Sequence, residues 1–104
     1  MDETSLSVED LNSVRECVRA AAYGPFFPDV EMHAILGADR AELQAISDGW
    51  PASLSRPDAK WIVQNVLTNL TGYPIDSPER WTEFIHLTED EIRSLKKRYV
   101  TAGN

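Results

Sequence analysis

Apolar residues recur at intervals of three and four along most of this chain, the spacing that places them on one side of an α-helix. No segment alternates between apolar and polar residues over a useful length, as a half-buried strand would. The helical segments cover residues 8–22, 30–36, one beginning at Asp39, 58–71, 79–85 and one beginning at Thr88. The pattern therefore predicts an all-α protein with five to six helices.

The ends of these segments carry residues that start and stop helices. Proline and glycine follow most of the segments and separate them into pieces of unequal length. This favours an irregular, orthogonal bundle over a symmetric four-helix one, with residues 58–71 as the central helix. Three pairs have the spacing of a capping box, in which a side chain at the helix start and one three residues later each bind the other's backbone: Ser7 with Asp10, Asp39 with Glu42, and Thr88 with Glu91.

The central helix carries a ridge of polar and aromatic residues beside its apolar stripe. Trp61, Asn65 and Asn69 are spaced by four and so lie along one line of the helix surface, with Trp61 almost opposite the apolar centre. Either another segment buries this ridge, with the asparagines bonding its backbone, or Trp61 is an exposed aromatic of the kind enriched in binding hot spots. We expect burial.

The loop after the first helix is unusually apolar. Two adjacent aromatics, Phe26 and Phe27, stand between Pro25 and Pro28, and a proline keeps the residue before it out of the helical region. Such a loop either covers the core or contacts a partner, and we expect it to cover the core. If these segments are exposed, the candidate partner-binding residues are Phe26, Phe27, Trp61, Asn65 and Asn69.

The length of 104 residues fits one domain, covering residues 1–104 with residues 1–6 and 101–104 frayed. No segment approaches the roughly 20 apolar residues needed to cross a bilayer. The first residues, Met1 to Ser5, lack the positive charge and apolar run of a secretory signal. We therefore expect a cytoplasmic protein that does not bind membranes.

The net charge is −7, and residues 1–58 contain the whole excess, with eleven acidic and four basic residues. Residues 59–104 contain six of each, and their acidic run at 89–91 and basic run at 96–98 suit the two ends of the last helix. An acidic protein lacks the cations that bind nucleic-acid phosphates, so no nucleic-acid partner is expected. Its acidity instead favours a basic protein partner.

Candidate catalytic and cofactor residues are few. Cys17 is the only cysteine, which excludes an internal disulfide, and its place between core positions predicts an inert buried thiol. There is no glycine-rich phosphate-binding loop, and we expect no cofactor or metal. His33 lies four residues after Asp29 and two after Glu31, and together with His86 these groups are the only candidates for a hidden site.

Three hypotheses for function remain. The favoured one is a noncatalytic protein-interaction module, such as an inhibitor, an immunity or antitoxin protein, or an adaptor. The second is a small enzyme or ligand-binding protein with a site around His33. The third is a structural or regulatory homodimer that packs through the ridge of Trp61.

Overall fold

A computed structural model of the chain describes residues 6–102, and within that range it contains helices and turns but no strand. The six α-helices are α1 (Val8–Tyr23), α2 (Asp29–Leu36), α3 (Arg40–Asp48), α4 (Ala59–Gly72), α5 (Trp81–Phe84) and α6 (Glu89–Ala102). Two 3₁₀ turns, Ala52–Ser55 and Pro78–Arg80, precede α4 and α5. Helix α4 packs against α1, α2 and α6. The prediction of a small all-α bundle built around residues 58–71 is confirmed.

All three predicted helix starts carry their side-chain caps. The backbone N–H of Asp10 donates to Ser7 Oγ at 3.0 Å. At the start of α3 the capping box is complete, with bonds of 2.9 and 3.0 Å between Asp39 and Glu42. At the start of α6 the Thr88–Glu91 pair makes the same two bonds, at 3.1 and 2.8 Å. The caps satisfy backbone donors that the helix itself leaves without partners.

The start of α2 and the end of α4 form without a side-chain cap. Asp29 is the first helical residue of α2, and its carboxylate binds Arg40. Helix α4 ends because Pro74 forces Tyr73 into extended backbone, with φ −105° and ψ 143°. Gly72 is therefore an ordinary last helical residue, without the left-handed backbone that a terminating glycine usually supplies.

The core is one continuous cluster that extends through all of the longer helices. Every apolar residue predicted for the stripe of α4 is buried, and α1 contributes small residues that allow its neighbours to approach closely. The largest fully buried side chains are Phe26, Phe27, Met32, Leu36, Leu43, Ile46, Ile62, Leu67, Leu70, Ile85, Ile92 and Leu95.

The aromatic loop after α1 folds into this core, as expected. Phe26 and Phe27 are 0% and 1% exposed. The ring of Phe26 meets Phe84 edge-on at 5.6 Å between centroids and lies 6.0 Å from Trp81, while Phe27 lies 6.2 Å from Tyr73. Such tilted and edge-on arrangements are the favoured geometry for aromatic pairs. The loop thus joins α1 to the segment between α4 and α6.

The guanidinium of Arg40 holds the same loop from the other side. It donates to the carbonyl oxygens of Ala22 at 3.0 Å and Phe27 at 2.8 Å, with a longer contact to Gly24 at 3.4 Å. It also pairs with the carboxylate of Asp29. One side chain therefore binds a carbonyl left free by the end of α1, which Gln44 Nε2 also reaches at 3.3 Å, and the carbonyl of Phe27 in the buried loop.

The expectation of frayed ends concerns residues 1–6 and 101–104, of which 1–5 and 103–104 lie outside the described residues. Helix α6 extends to Ala102. The longest helix in the range 6–102 is α1, with 16 residues, and none of the helices there has the length and apolarity needed to cross a membrane.

We predict that Arg40→Ala lowers the free energy of unfolding by about 2–3 kcal/mol, because it leaves several partly buried carbonyls unpaired. Arg80→Ala is the matched control, since Arg80 makes an exposed pair with Glu83 and binds no buried carbonyl. Urea unfolding followed by circular dichroism measures both. Equal effects of the two substitutions would show that Arg40 does not hold the loop.

Candidate functional site

Trp61 is the one tryptophan of this chain whose side chain is mostly in solvent, with 63% of its surface exposed. The expectation that another segment buries it is therefore wrong. Two aromatic groups that could have covered it pack elsewhere: Phe26 contacts Trp81, and the Trp81 indole N–H donates to the carbonyl of Leu87 at 2.8 Å. Phe26 and Trp81 thus pack against each other and not against α4 at Trp61, so the side of α4 that carries Trp61 remains exposed to solvent.

The end of α2 determines how Trp61 and Asn65 sit on α4. Helix α2 stops at Gly37 in left-handed backbone, with φ 79°. A Cβ at Gly37 would lie 3.3 Å from Asn65 Nδ2 and 3.4 Å from Trp61 Nε1. The left-handed backbone favours glycine there, and a Cβ would fit only if these side chains shifted slightly, so the Nε1 edge of the indole lies close to this turn while most of the side chain faces solvent.

Asn65 and Asn69 are half-buried, and their side chains form hydrogen bonds within the fold. Asn65 Nδ2 donates to the carbonyl of Leu36 at 3.0 Å, and Asn69 Nδ2 donates to the carbonyl of Ile35 at 3.3 Å. These are carbonyls of the last turn of α2, which have no partner within that helix. The asparagines bind backbone groups, as expected. These groups belong to the end of α2, whereas we expected them to belong to a segment that covers the ridge.

The five candidate partner-binding residues thus separate into three groups. Phe26 and Phe27 belong to the core and present no surface to a partner. Asn65 and Asn69 fasten α2 to α4. Trp61 alone presents a large side chain to solvent, and within residues 6–102 its indole N–H donates no hydrogen bond.

The groups considered for a site around His33 do not converge. His33 is exposed, Asp29 binds Arg40, and the carboxylate of Glu31 accepts a hydrogen bond from the Tyr73 hydroxyl at 2.5 Å. His86 pairs with Glu16, with 2.6 Å between Nδ1 and Oε2. Residues 6–102 contain no group of three histidine, cysteine or carboxylate side chains arranged to hold a metal ion.

Cys17 is fully buried on α1. Loss of hydration raises the pKa of its thiol to about 12, with a smaller contribution from the Glu16 carboxylate. A thiol with that pKa carries almost no thiolate near neutral pH, and the thiolate is the reactive form. The structure therefore agrees with the prediction of an inert core residue.

A groove between α4 and α6 is the main surface feature that the sequence interpretation missed. It has a volume of about 720 Å³, and its lining is more apolar than polar. Thr68, Thr71 and Gly72 form the α4 side. The α6 side includes Arg93, Lys96, Lys97 and Val100.

Two of the groove residues, Thr68 and Gly72, lie on the same side of α4 as Trp61. Thr68 follows Trp61 by seven positions and Gly72 by eleven, so the three lie on one side of α4. At 1.5 Å per residue this line is roughly 16 Å long. We call Trp61, Thr68 and Gly72 the outer face of α4.

Comparison with protein-family models, curated protein sequences and solved structures found no match to this chain. Its function is therefore inferred from the outer face of α4 and the groove beside it.

We predict that the Cys17 thiol of the folded protein does not react with a colorimetric disulfide reagent at about pH 8, and that it reacts fully once the protein is unfolded in guanidinium. The raised pKa keeps the neutral thiol dominant in the folded state. Rapid labelling without denaturant would contradict the buried position.

We also predict that Trp61→Ala changes the free energy of unfolding by no more than about 0.5 kcal/mol, because most of the indole is already in water. Trp81→Ala is the matched control, and it should cost about 2–3 kcal/mol by removing the contact with Phe26 and the bond to Leu87. Chemical unfolding of both variants tests this, and a large loss with Trp61→Ala would mean that the residue serves the fold.

Proposed function

We propose that this chain is a noncatalytic protein-interaction module that binds another protein through the outer face of α4, with Trp61 as the anchor. Inhibitors, immunity and antitoxin proteins, and adaptors are proteins of this class. The observation that carries the proposal is the exposed Trp61, held on a rigid helix against the Gly37 turn.

The other large exposed aromatic shows why Trp61 stands out. Tyr23 is 45% exposed, but its hydroxyl donates to Asp48 at 2.8 Å and the Arg19 guanidinium lies over its ring at 5.3 Å. Its position is thus accounted for by bonds within the chain. Most of the Trp61 side chain is in water, and its indole N–H donates no hydrogen bond within residues 6–102. A large, exposed aromatic with a polar N–H is the kind of residue enriched in binding hot spots.

The rigidity of this surface also supports the proposal. The bonds of Asn65 and Asn69 to the end of α2 lie beside Trp61 and hold its surroundings in place. A preorganised surface loses little conformational entropy on binding, so more of the contact energy appears as affinity.

The test is a photocrosslinking experiment in cells of the source organism, with benzoylphenylalanine in place of Thr68, which is exposed on the outer face. The same crosslinker in place of Asn12, exposed on α1, is the control position. We expect a defined partner to be captured from position 68 and not from position 12. Trp61→Ala should weaken binding to that partner by at least about 30-fold, the loss typical of a hot-spot residue.

A specific partner whose affinity is unchanged by Trp61→Ala would contradict the proposal. Sedimentation velocity on the purified protein separates it from the homodimer hypothesis, which places a second copy on the same face. A dimer that dissociates in the Trp61→Ala variant would replace the proposal of a different partner. A monomer in both variants leaves the outer face free for another protein.

A further inference from the structure

The cations of this acidic protein are distributed unevenly over its surface. Residues 59–75 and 92–102, which include α4 and most of α6, contain no aspartate or glutamate. All three lysines of the chain, Lys60, Lys96 and Lys97, lie in these two segments. The acidic excess therefore lies elsewhere, and α4 together with the part of α6 that follows Glu91 contains cations and no carboxylate.

The groove between α4 and α6 combines these cations with a mainly apolar lining. Its α6 side carries Arg93, Lys96 and Lys97, and none of its lining residues is a carboxylate. Arg93 is partly engaged, since it donates to the carbonyl of Thr71 at 3.0 Å and to Asp90 at 2.9 Å. Lys96 and Lys97 form no ion pair within residues 6–102. Most of the arginines do: Arg40, Arg56, Arg80, Arg93 and Arg98 all pair with carboxylates.

Gly72 gives a second, independent indication that something approaches this groove. Its backbone is not left-handed, and apart from its chain neighbours and the backbone of its own helix, no atom of the described residues lies within 4 Å of the position that a Cβ would occupy. Neither backbone conformation nor internal packing therefore requires glycine there, although glycine weakens a helix relative to other residues. A residue without a side chain lets a bound segment approach the helix backbone closely.

We propose that the groove and the outer face of α4 together receive an acidic amphipathic α-helix of the partner protein, which deepens the function proposed above and depends on it. The apolar side of that helix lies on Thr68, Gly72 and Val100, and its carboxylates face Lys96 and Lys97. An apolar residue two to three turns along the same helix reaches Trp61, because the outer face is roughly 16 Å long.

The local charge thus favours an acidic partner segment, although the overall acidity of the chain favoured a basic one. Complementary charge across an interface selects the partner and speeds association. A nucleic acid or an anionic membrane fits this surface less well. Three lysines provide few phosphate contacts, and the net charge of −7 repels an extended polyanion.

The test is a selection from a display library of random peptides, each about 14 residues and so long enough to span the outer face as a helix. We expect enrichment of peptides with net negative charge and apolar residues three and four positions apart. NMR chemical-shift changes on adding one such peptide should concentrate at Thr68, Thr71, Lys97 and Val100.

Charge reversal and filling of the groove test the site itself. The double substitution Lys96→Glu with Lys97→Glu should weaken the selected peptides at least tenfold. The control double substitution, Arg19→Glu with Arg80→Glu, changes the net charge equally at two exposed cations outside the groove and should have little effect. Gly72→Leu should also weaken binding at least tenfold without lowering the melting temperature, because leucine fills open space and favours a helix.

Neutral or basic consensus peptides would overturn the inference, as would acidic peptides that bind the two charge-reversed variants equally. The inference also fails if no peptide is enriched. If the protein binds duplex DNA or phosphatidylserine vesicles through Lys96 and Lys97 and does not bind the peptides, the groove recognises a polyanion or a membrane and the inference is wrong. The crosslink from position 68 separates the two proposals: if it persists after Lys96 and Lys97 are reversed, the interaction module stands and the acidic-helix inference falls.

Discussion

The structure depends on the burial of the loop between α1 and α2. Its two phenylalanines leave water completely, and each fully buried side chain of this size contributes about 2–3 kcal/mol. Burial of the loop backbone is tolerable because the Arg40 guanidinium binds the carbonyls of Ala22 and Phe27. Phe26 then meets Trp81 and Phe84, which brings the short helix α5 onto the core. One loop thus connects both halves of the chain.

That arrangement also decides which aromatic residue remains outside. Phe26 of the loop packs against Trp81, so neither residue covers the exposed side of α4. Helix α2 is instead fastened to α4 by Asn65 and Asn69, and Gly37, which follows α2 and has no side chain, lies beside the Nε1 edge of Trp61 without covering the ring. The exposed ring is therefore a consequence of how the core closes, and it lies on the helix that packs against α1, α2 and α6.

The distribution of carboxylates over the helices explains how an acidic protein presents a basic groove. The carboxylates of α1 to α3 are mostly used to cap helices or bind arginine and tyrosine, as with Asp39, Asp29 and Glu31. The groove between α4 and α6 is lined by Arg93, Lys96 and Lys97 and by no carboxylate. Arg93 pairs with Asp90 and Glu89, whereas Lys96 and Lys97 form no ion pair within residues 6–102, so the lining carries positive charge despite the total of −7. A net charge describes long-range behaviour, whereas a binding site responds to the charges within about one Debye length.

Local signals in the sequence determined the helices, their capped starts and the buried stripe of α4, since 3.6-residue periodicity and capping involve residues only a few positions apart. The inert Cys17 and the buried phenylalanines followed from the same reasoning. Only the tertiary structure decided the partners of Arg40, the exposure of Trp61 and the groove between α4 and α6. These features join residues far apart along the chain, and periodicity within one helix cannot show which neighbour covers its other side. The absence of carboxylates from residues 59–75 and 92–102 was visible in the sequence, but its meaning depended on the packing of α4 against α6, which put the two segments on one surface.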